Sequence, residues 1–188
     1  MQTEFEATFS GIDKDIMRVK LKEVGAVMAY PEFLMKRVVF VPPHGNGQQW
    51  LRVRQEADKA TMSLKEITGA GITDQKEIEL IIDDYKKGID FLIGIGLEQK
   101  SYQETKRELW KLNGVDITLD TWPGLKPIIE IEGESEKVVR EVSELLGFDY
   151  SEAIFGAIDK VYLKELGMPM DVINDHNPLI TFDNPPTA

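Results

Sequence analysis

Charged and apolar residues alternate along four short segments of the chain. Successive side chains of a strand point to opposite faces, so this period of two predicts strands that each have one apolar and one charged face. The four segments are Glu4-Phe5-Glu6, Leu51-Arg52-Val53-Arg54, Met62-Ser63-Leu64-Lys65 and Ile129-Glu130-Ile131-Glu132. They predict strands over 3–9, 49–55, 60–67 and 127–132.

Turn formers and helix caps divide the rest of the chain into further strands and helices. Residues 42–47 predict the turn of one hairpin, and Asn113-Gly114 is a strong short signal for another. The additional strands are predicted over 36–42, 76–82, 100–111 and 115–121. Helices are predicted over 13–24, 84–95, 135–146 and 151–166, with irregular chain after Gly167. Many antiparallel strands with a few helices predict an α+β protein built on a barrel or a strongly curved sheet.

Composition narrows the class of protein. The chain has 188 residues, 42% of them hydrophobic and 29% charged, and no apolar run as long as a membrane span. We expect one domain over 1–188, with a core barrel over 1–150 and a C-terminal helix and irregular extension over 151–188. A net charge of −11 argues against binding to the phosphate backbone of duplex nucleic acid. The absence of cysteine excludes disulfides and thiolate metal sites, and it is typical of a cytoplasmic protein.

The charged strand faces combine acids and bases in a set that suits a polyphosphate. Arg52 and Arg54 can hold phosphate oxygens in bidentate fashion, whereas Lys65 offers a point charge. Mg²⁺ prefers carboxylate oxygens together with shared phosphate oxygens. The same residues allow simpler interpretations. Glu4 and Glu6 alone are typical of the wet face of an edge strand, and paired acids and bases inside a barrel can satisfy one another without a ligand.

The order of these segments resembles that of the CYTH superfamily, also called the triphosphate tunnel metalloenzymes. The overall pattern looks closer to the bacterial class IV adenylyl cyclase branch than to the animal thiamine triphosphatases. The resemblance covers about residues 1–150 and rests on the order of the segments, none of which is specific alone. The matching segments are Glu4-Phe5-Glu6-Ala7-Thr8, Trp50-Leu51-Arg52-Val53-Arg54, Ser63-Leu64-Lys65, Lys76-Glu77-Ile78-Glu79, Lys106-Arg107-Glu108-Leu109-Trp110, Val115-Asp116-Ile117-Thr118-Leu119-Asp120 and Pro127-Ile128-Ile129-Glu130-Ile131-Glu132-Gly133.

The resemblance implies an eight-stranded antiparallel β-barrel with flanking helices, whose interior binds a triphosphate together with Mg²⁺ or Mn²⁺. It implies acids that hold the metal or position water, namely Glu4, Glu6, Asp120, Glu130 and Glu132. It also implies bases that bind phosphate, namely Arg52, Arg54, Lys65, Lys106 and Arg107. The expected catalytic residues are Glu6, Lys65 and Asp120, and the expected supporting residues are Glu77, Glu79 and Thr8.

Two positions depart from the family's pattern. The opening motif of the family is Glu-x-Glu-x-Lys, and Thr8 stands here at the lysine position. The family also has Lys-x-Arg before the aromatic residue that Trp110 matches, which would place its lysine at Thr105. Lys106 is adjacent, but strict alternation points it away from the face that Arg107 uses unless a bulge intervenes. These losses matter because removing one charged donor typically costs on the order of two or three decades of rate.

The sequence therefore predicts a metal-dependent enzyme that acts on a triphosphate-containing small molecule. Cyclisation of ATP, as in an adenylyl cyclase, and hydrolysis of inorganic or thiamine triphosphate both fit, because they differ in the register of the ligand along the tunnel. The alternative is a non-catalytic protein that binds polyphosphate or a nucleotide, which Thr8 and Thr105 favour. The charged faces disfavour an apolar ligand. We expect no duplex nucleic acid or membrane partner, and a homodimer is an open alternative.

Overall fold

The computed structural model describes residues 1–43 and 47–187, and each of the eight predicted strands overlaps a strand in it. The strands are β1 (Gln2–Thr3), β2 (Phe5–Ser10), β3 (Val27–Val41), β4 (Gln49–Gln55), β5 (Ala60–Ile67), β6 (Gln75–Ile82), β7 (Glu98–Leu112), β8 (Val115–Thr121), β9 (Ile128–Gly133) and β10 (Leu179–Ile180). The helices are α1 (Lys14–Glu23), α2 (Tyr85–Gly94), α3 (Glu136–Leu145), α4 (Asp159–Leu166) and α5 (Met170–Asp175). None of the described helices is long and apolar enough to cross a membrane. The predicted turn at 42–47 lies partly outside the described residues.

Strands β1 to β9 form one antiparallel sheet whose two ends meet at the N-terminal segment. The order of hydrogen-bonded neighbours is β1-β6-β5-β4-β3-β7-β8-β9-β2. Only Glu4 separates β1 from β2, and its N–H donates to the carbonyl of Gln75 at 3.0 Å. The same stretch of chain thus borders β6 and β9 and nearly closes a barrel. The predicted α+β barrel is confirmed, although nine of the described strands form it rather than eight, because the first predicted strand is divided at Glu4.

Strands β3 and β7 extend the pairing beyond the predicted limits. Each has 15 residues, and they pair along most of their length. β3 begins at Val27 instead of residue 36 because β7 offers it a hydrogen-bonding partner there. Register shifts lie on either side of residues 33–39, but within that segment the pairing is continuous and places Lys106 opposite Leu34. Strict alternation therefore holds at Lys106 and Arg107 of β7.

The apolar faces of the strands pack on the outside of the barrel, against helices α1 and α3. Leu21 of α1 and Val139 of α3 are fully buried in one core cluster with Ile117, Ile129 and Ile131 of the sheet. Burying an aliphatic side chain of this size contributes roughly 1.5–3 kcal/mol relative to exposure. Because the apolar faces are packed outward, the charged faces of the same strands turn to the barrel interior.

The C-terminal segment differs from its prediction in where the helix begins. α4 begins at Asp159 rather than at residue 151. Ile154 forms a β-bridge with Thr8 and so lies outside any helix. Gly156 follows with a φ of +117°, a backbone conformation that favours glycine and is not helical. The chain after Gly167 is also more ordered than predicted, since it forms α5 and then β10, which pairs with β7 in parallel.

A second core cluster holds α4 and the tail against the rim of the barrel. Tyr162 of α4 is fully buried, and its hydroxyl donates to the carbonyl of Pro123 at 2.6 Å. Trp122, Met168 and Ile180 belong to the same cluster. This packing fixes the segment before α4 beside the open interior of the barrel.

Candidate functional site

The barrel contains a cavity of about 880 Å³ that is lined by the charged strand faces. Arg52 and Arg54 of β4 both line it, as period-two alternation requires, and so do Glu77 and Glu79 of β6. The register of β5 and β6 places Lys65 directly opposite Glu77. These ionised groups face away from the helices, so the cavity and one another are their available partners.

Three carboxylates meet at one side of the cavity. Glu4, Glu6 and Glu132 each offer an oxygen atom, and these atoms lie within 4.8 Å of one another. The register of β2 and β9 sets Glu6 directly opposite Glu132. Burial and the nearby carboxylates of Glu130 and Glu4 raise the pKa of Glu6 well above its usual value. The cluster therefore concentrates negative charge that a cation would stabilise.

The pKa of Glu132, at the edge of the cluster, is also raised. Its side chain is exposed to solvent through the cavity, yet protein surrounds it on most sides. Burial, and then the charge of Glu4, raise the pKa of Glu132 to about 7. Grouped carboxylate oxygens are ligands that Mg²⁺ and Mn²⁺ prefer. The cluster fits such an ion, and the described lining residues include no histidine or cysteine that would favour Zn²⁺.

Lys65 links this acidic cluster to the basic part of the cavity. Its Nζ lies 2.7 Å from Glu4 Oε2 and 3.7 Å from Glu77 Oε2. Arg52 Nη2 lies in turn 3.2 Å from Glu77 Oε1. Burial lowers the pKa of Lys65, but the charges of Glu4 and Glu6 outweigh burial and raise that pKa overall. Lys65 is therefore a cation at neutral pH.

Arg54 lies on β4, two residues after Arg52, and pairs with two carboxylates. Its Nη2 lies 2.7 Å from Glu56 Oε1 and 3.2 Å from Glu79 Oε2. Lys59 Nζ lies 3.7 Å from the second oxygen of Glu79. Burial and the like charge of Arg52 lower the pKa of Arg54, and Glu56 partly offsets this. The two carboxylates orient the guanidinium beside the cavity.

Arg107 lies between two carboxylates. Its Nη2 is 2.5 Å from Asp120 Oδ2 and 2.5 Å from Glu130 Oε2, and its Nε donates to Asp120 Oδ1 at 2.9 Å. Burial lowers the pKa of Arg107, but Asp120 and Glu130 outweigh burial and raise that pKa well above its usual value. Asp120 is fully buried behind the guanidinium.

Most of the predicted site residues come together in this cavity. The ones that line it are Glu4, Glu6, Arg52, Arg54, Lys65, Glu77, Glu79, Arg107, Glu130 and Glu132. Their individual roles remain predictions.

Three predicted site residues are placed elsewhere. Lys106 does not line the cavity, because no bulge reverses the alternation around it and its exposed amine lies 4.8 Å from the centre of the Phe182 ring; its role in binding phosphate stays a prediction. Asp120 lies behind Arg107 and not in the acidic cluster, because Arg107 occupies its carboxylate. Thr8 is buried where Ile154 bridges it and does not line the cavity.

Other charged residues line the cavity although no motif indicated them. Glu56 continues the alternation of Arg52 and Arg54 by one step, so the pattern could have predicted it. Arg37 gave no such signal, since the next inward residue of β3 is Val39. Lys160 lies on α4, outside the sheet, and reaches the cavity only because the chain packs there.

Comparison with known proteins agrees with the barrel fold. The model of the CYTH domain matches residues 40–152, more than half of the chain. A predicted adenylate cyclase from Vibrio parahaemolyticus superposes with a TM-score of 0.72 at 14% identity, covering 85% of this chain and 97% of its own. PH1012 protein from Pyrococcus horikoshii has a TM-score of 0.67 at 22% identity and covers 80% and 93%.

A predicted adenylyl cyclase from Hippeastrum, described as having a dominant triphosphatase activity, has a TM-score of 0.57 at 15% identity and covers 89% and 99%. At these identities the likeness is one of fold. No curated protein is significantly similar to the chain in sequence.

Proposed function

Because this chain belongs to the CYTH domain family, we propose that its barrel hydrolyses a triphosphate-containing small molecule with the help of Mg²⁺ or Mn²⁺. The observation that carries the proposal is the division of charge inside one cavity. Three carboxylates gather at one side, and elsewhere in the cavity arginine and lysine side chains are interspersed with further carboxylates, among them Glu77, Glu79 and Glu130. A polyphosphate with a bound divalent ion presents the complementary charges.

The acidic cluster is the proposed metal site. Glu4, Glu6 and Glu132 hold the ion in this proposal, which suits a cluster in which burial and neighbouring carboxylates already raise the pKa of Glu6 and of Glu132. When bound, the ion supplies positive charge to phosphate oxygens and orients them. Lys65, within 2.7 Å of Glu4, is placed to contact both the cluster and the phosphate chain.

The arginines are the proposed phosphate-binding groups. Arg52 and Arg54 point into the cavity and are kept in place by Glu77 and Glu79, each at 3.2 Å. Arg107 is kept in place by the buried Asp120. Donors fixed before the ligand arrives need little reorganisation as charge develops on a transferring phosphoryl group. These carboxylates therefore support catalysis by positioning the guanidiniums.

Cyclisation of ATP is the second candidate, and an aromatic surface in the cavity favours it. Tyr30, Phe33 and Trp50 line the cavity, and the first two rings meet edge to face with centroids 6.2 Å apart. Aromatic rings offer a nucleobase a stacking surface. The reactions named for the Vibrio and Hippeastrum proteins of this fold both concern triphosphates, which supports the substrate class.

Phosphorus NMR tests the proposal directly. The protein is incubated with ATP, inorganic triphosphate or thiamine triphosphate in the presence of Mg²⁺ or Mn²⁺. Orthophosphate release establishes a triphosphatase, whereas pyrophosphate with a cyclic nucleotide establishes a cyclase. Glu6→Gln should abolish turnover, while Glu141→Gln, on the outer face of α3, is the matched control. If the phosphates remain unchanged at high protein concentration, the proposal is wrong for these substrates. The alternative, a non-catalytic protein that binds polyphosphate or a nucleotide, is then favoured.

A further inference from the structure

The cations of the cavity differ in whether they have an acidic partner. Nine lysine and arginine side chains line the described part of the cavity. Seven of them lie within 4.0 Å of a carboxylate oxygen, namely Arg52, Arg54, Lys59, Lys65, Lys100, Arg107 and Lys111. Arg37 and Lys160 have no such partner among the described residues. No carboxylate of the described residues therefore balances the positive charge of either side chain.

Arg37 is the more deeply placed of the two. It is 5% exposed, its Nη2 donates to the neutral hydroxyl of Thr105 at 2.6 Å, and its guanidinium lies 4.4 Å from the centre of the Trp122 ring. Its buried Nε has no hydrogen-bond partner among the described residues. Burial lowers the pKa of Arg37, and so do the like charges of Arg52 and Arg54. A buried cation in these surroundings is costly unless an anion approaches it.

Lys160 reaches the cavity from the C-terminal segment. Its Nζ donates to the backbone carbonyl of Phe155 at 2.6 Å, a neutral partner. The neighbouring Gly156 also lines the cavity, and a Cβ atom there would lie 2.8 Å from the Lys160 amine. The tight approach of backbone to amine holds Lys160 at the cavity wall. Two independent elements, β3 and the start of α4, thus each bring an unbalanced cation to one space.

We propose that Arg37 and Lys160 bind the polyanionic ligand directly, so that residues 154–160 form part of the binding site and not merely a cover over the barrel. The ligand class is a polyphosphate, because its negative charges exceed what a metal ion alone offsets and both side chains line the cavity proposed to hold it. This inference rests on the proposed function and adds to it the residues that no strand motif indicates. The proposed phosphate-binding cations that are already paired, Arg52, Arg54, Lys65 and Arg107, share their carboxylates with the ligand, whereas these two gain a first anion.

Binding of inorganic triphosphate, measured by isothermal titration calorimetry at physiological salt with and without Mg²⁺, tests the inference. The variants are Arg37→Gln and Lys160→Gln, and each should weaken binding about ten- to a hundredfold, as expected for one lost hydrogen bond to a charged group. The matched control is Lys111→Gln, which removes a cavity cation that already pairs with Asp116 at 2.6 Å and is half exposed. It should change affinity by no more than about threefold, since exposed pairs contribute little.

The stability of the free protein supplies a second readout. Arg37→Gln should not lower the melting temperature without ligand, because it removes an unbalanced buried charge, but it should reduce the rise in melting temperature that triphosphate causes. A clear loss of stability would overturn the assignment of Arg37, and Lys160→Gln then decides the inference alone. If the wild type binds triphosphate and both variants behave like Lys111→Gln, the inference is wrong and the proposed function stands. If the wild type binds neither inorganic triphosphate nor ATP, both fail.

Discussion

Thr8 and Ile154 exchange two backbone hydrogen bonds, from the Thr8 N–H at 3.0 Å and from the Ile154 N–H at 2.9 Å. The bridge fastens the segment that carries Lys160 to β2. Thr105 is the second position at which the chain has a neutral residue where the family has lysine. Its hydroxyl accepts a hydrogen bond from Arg37 at 2.6 Å. Arg37 thus contacts the position at which β7 lacks the lysine of the family, and at the other such position, Thr8, the bridge holds the segment that leads to Lys160.

Thr8→Lys, which restores the lysine of the family's motif, should raise the affinity for triphosphate only in a chain that lacks Lys160. Thr8 lies opposite Glu130 in the register of β2 and β9, so Thr8→Lys adds an amine near the acidic side of the cavity. In the otherwise wild-type chain, we expect no gain in triphosphate affinity and a stability loss of about 1–3 kcal/mol from overpacking at a site only 3% exposed. In the Lys160→Gln chain, we expect about a tenfold recovery of affinity, measured by calorimetry. A large gain in the wild-type background would instead indicate that the natural chain lacks a needed charge at Thr8.

Gly156→Ala should displace Lys160 without changing its charge. The backbone there has a φ of +117°, and the added Cβ would lie 2.8 Å from Nζ and 3.0 Å from Cε of Lys160. We expect a stability loss of about 1–3 kcal/mol in urea unfolding, together with weaker binding of triphosphate. Gly94→Ala, at the end of α2, is the control, since a Cβ atom added there would have nothing within 4 Å. If Gly156→Ala and Gly94→Ala bind triphosphate with equal affinity, the position of the Lys160 amine does not contribute to binding.

Asp120→Asn should destabilise the fold by about 2–3 kcal/mol, because it removes the charge of a fully buried partner of Arg107 while Glu130 remains. Asp116→Asn is the matched substitution at a half-exposed pair with Lys111, and we expect it to cost less than about 1 kcal/mol. Urea unfolding of both variants measures the difference. Similar losses for the two would show that burial does not strengthen the Arg107 pair.

Glu132 should make the metal-free protein less stable as the pH rises. Its pKa is raised from 4.5 to about 7 in the folded state, so both states are protonated below pH 4.5 and no stability is lost there. Between pH 4.5 and about 7 the unfolded chain releases its proton first, and the contribution of Glu132 to stability falls until it is lost above the folded pKa. Glu132→Gln should therefore gain in melting temperature over the wild type, in EDTA, at pH 8 but not at pH 4.5.

The control for this comparison is Glu141→Gln, whose side chain is exposed on α3. Its difference from the wild type should not depend on pH across the same window. A Glu132→Gln difference that is equal at both pH values would contradict the raised pKa.

Divalent metal should stabilise the free protein through the acidic cluster. At a hundredfold excess over its dissociation constant, Mg²⁺ or Mn²⁺ should contribute about 2.7 kcal/mol, or about 5–10 °C in melting temperature for a chain of this length. Glu6→Gln should remove most of this shift because Glu6 is one of three carboxylates whose oxygens lie within 4.8 Å. Glu141→Gln should keep the shift, and an equal loss in both variants would place the metal elsewhere.

Sequence patterns predicted the parts of the site that depend on local alternation. The charged faces at Arg52 and Arg54 and at Glu130 and Glu132 line the cavity, because a period of two needs only the extended backbone to sort side chains by face. The same rule pointed Lys106 outward, and the continuous register of β3 and β7 around it keeps it there. Including Lys106 among the phosphate ligands required a bulge next to it, and the register shifts of this pairing lie elsewhere.

The sequence by itself determined the strands, the ionised face of each strand and the helices that cover the apolar faces, since these follow from periodicity and caps. Only the tertiary structure decided that the first strand divides at Glu4 and that the last long helix begins at Asp159, because both depend on backbone partners distant in sequence. It also decided which cations remain unbalanced. Among the residues that the structure describes, Arg37 and Lys160 have no carboxylate partner. Charge pairing depends on distances between elements, and no spacing along the chain encodes those distances.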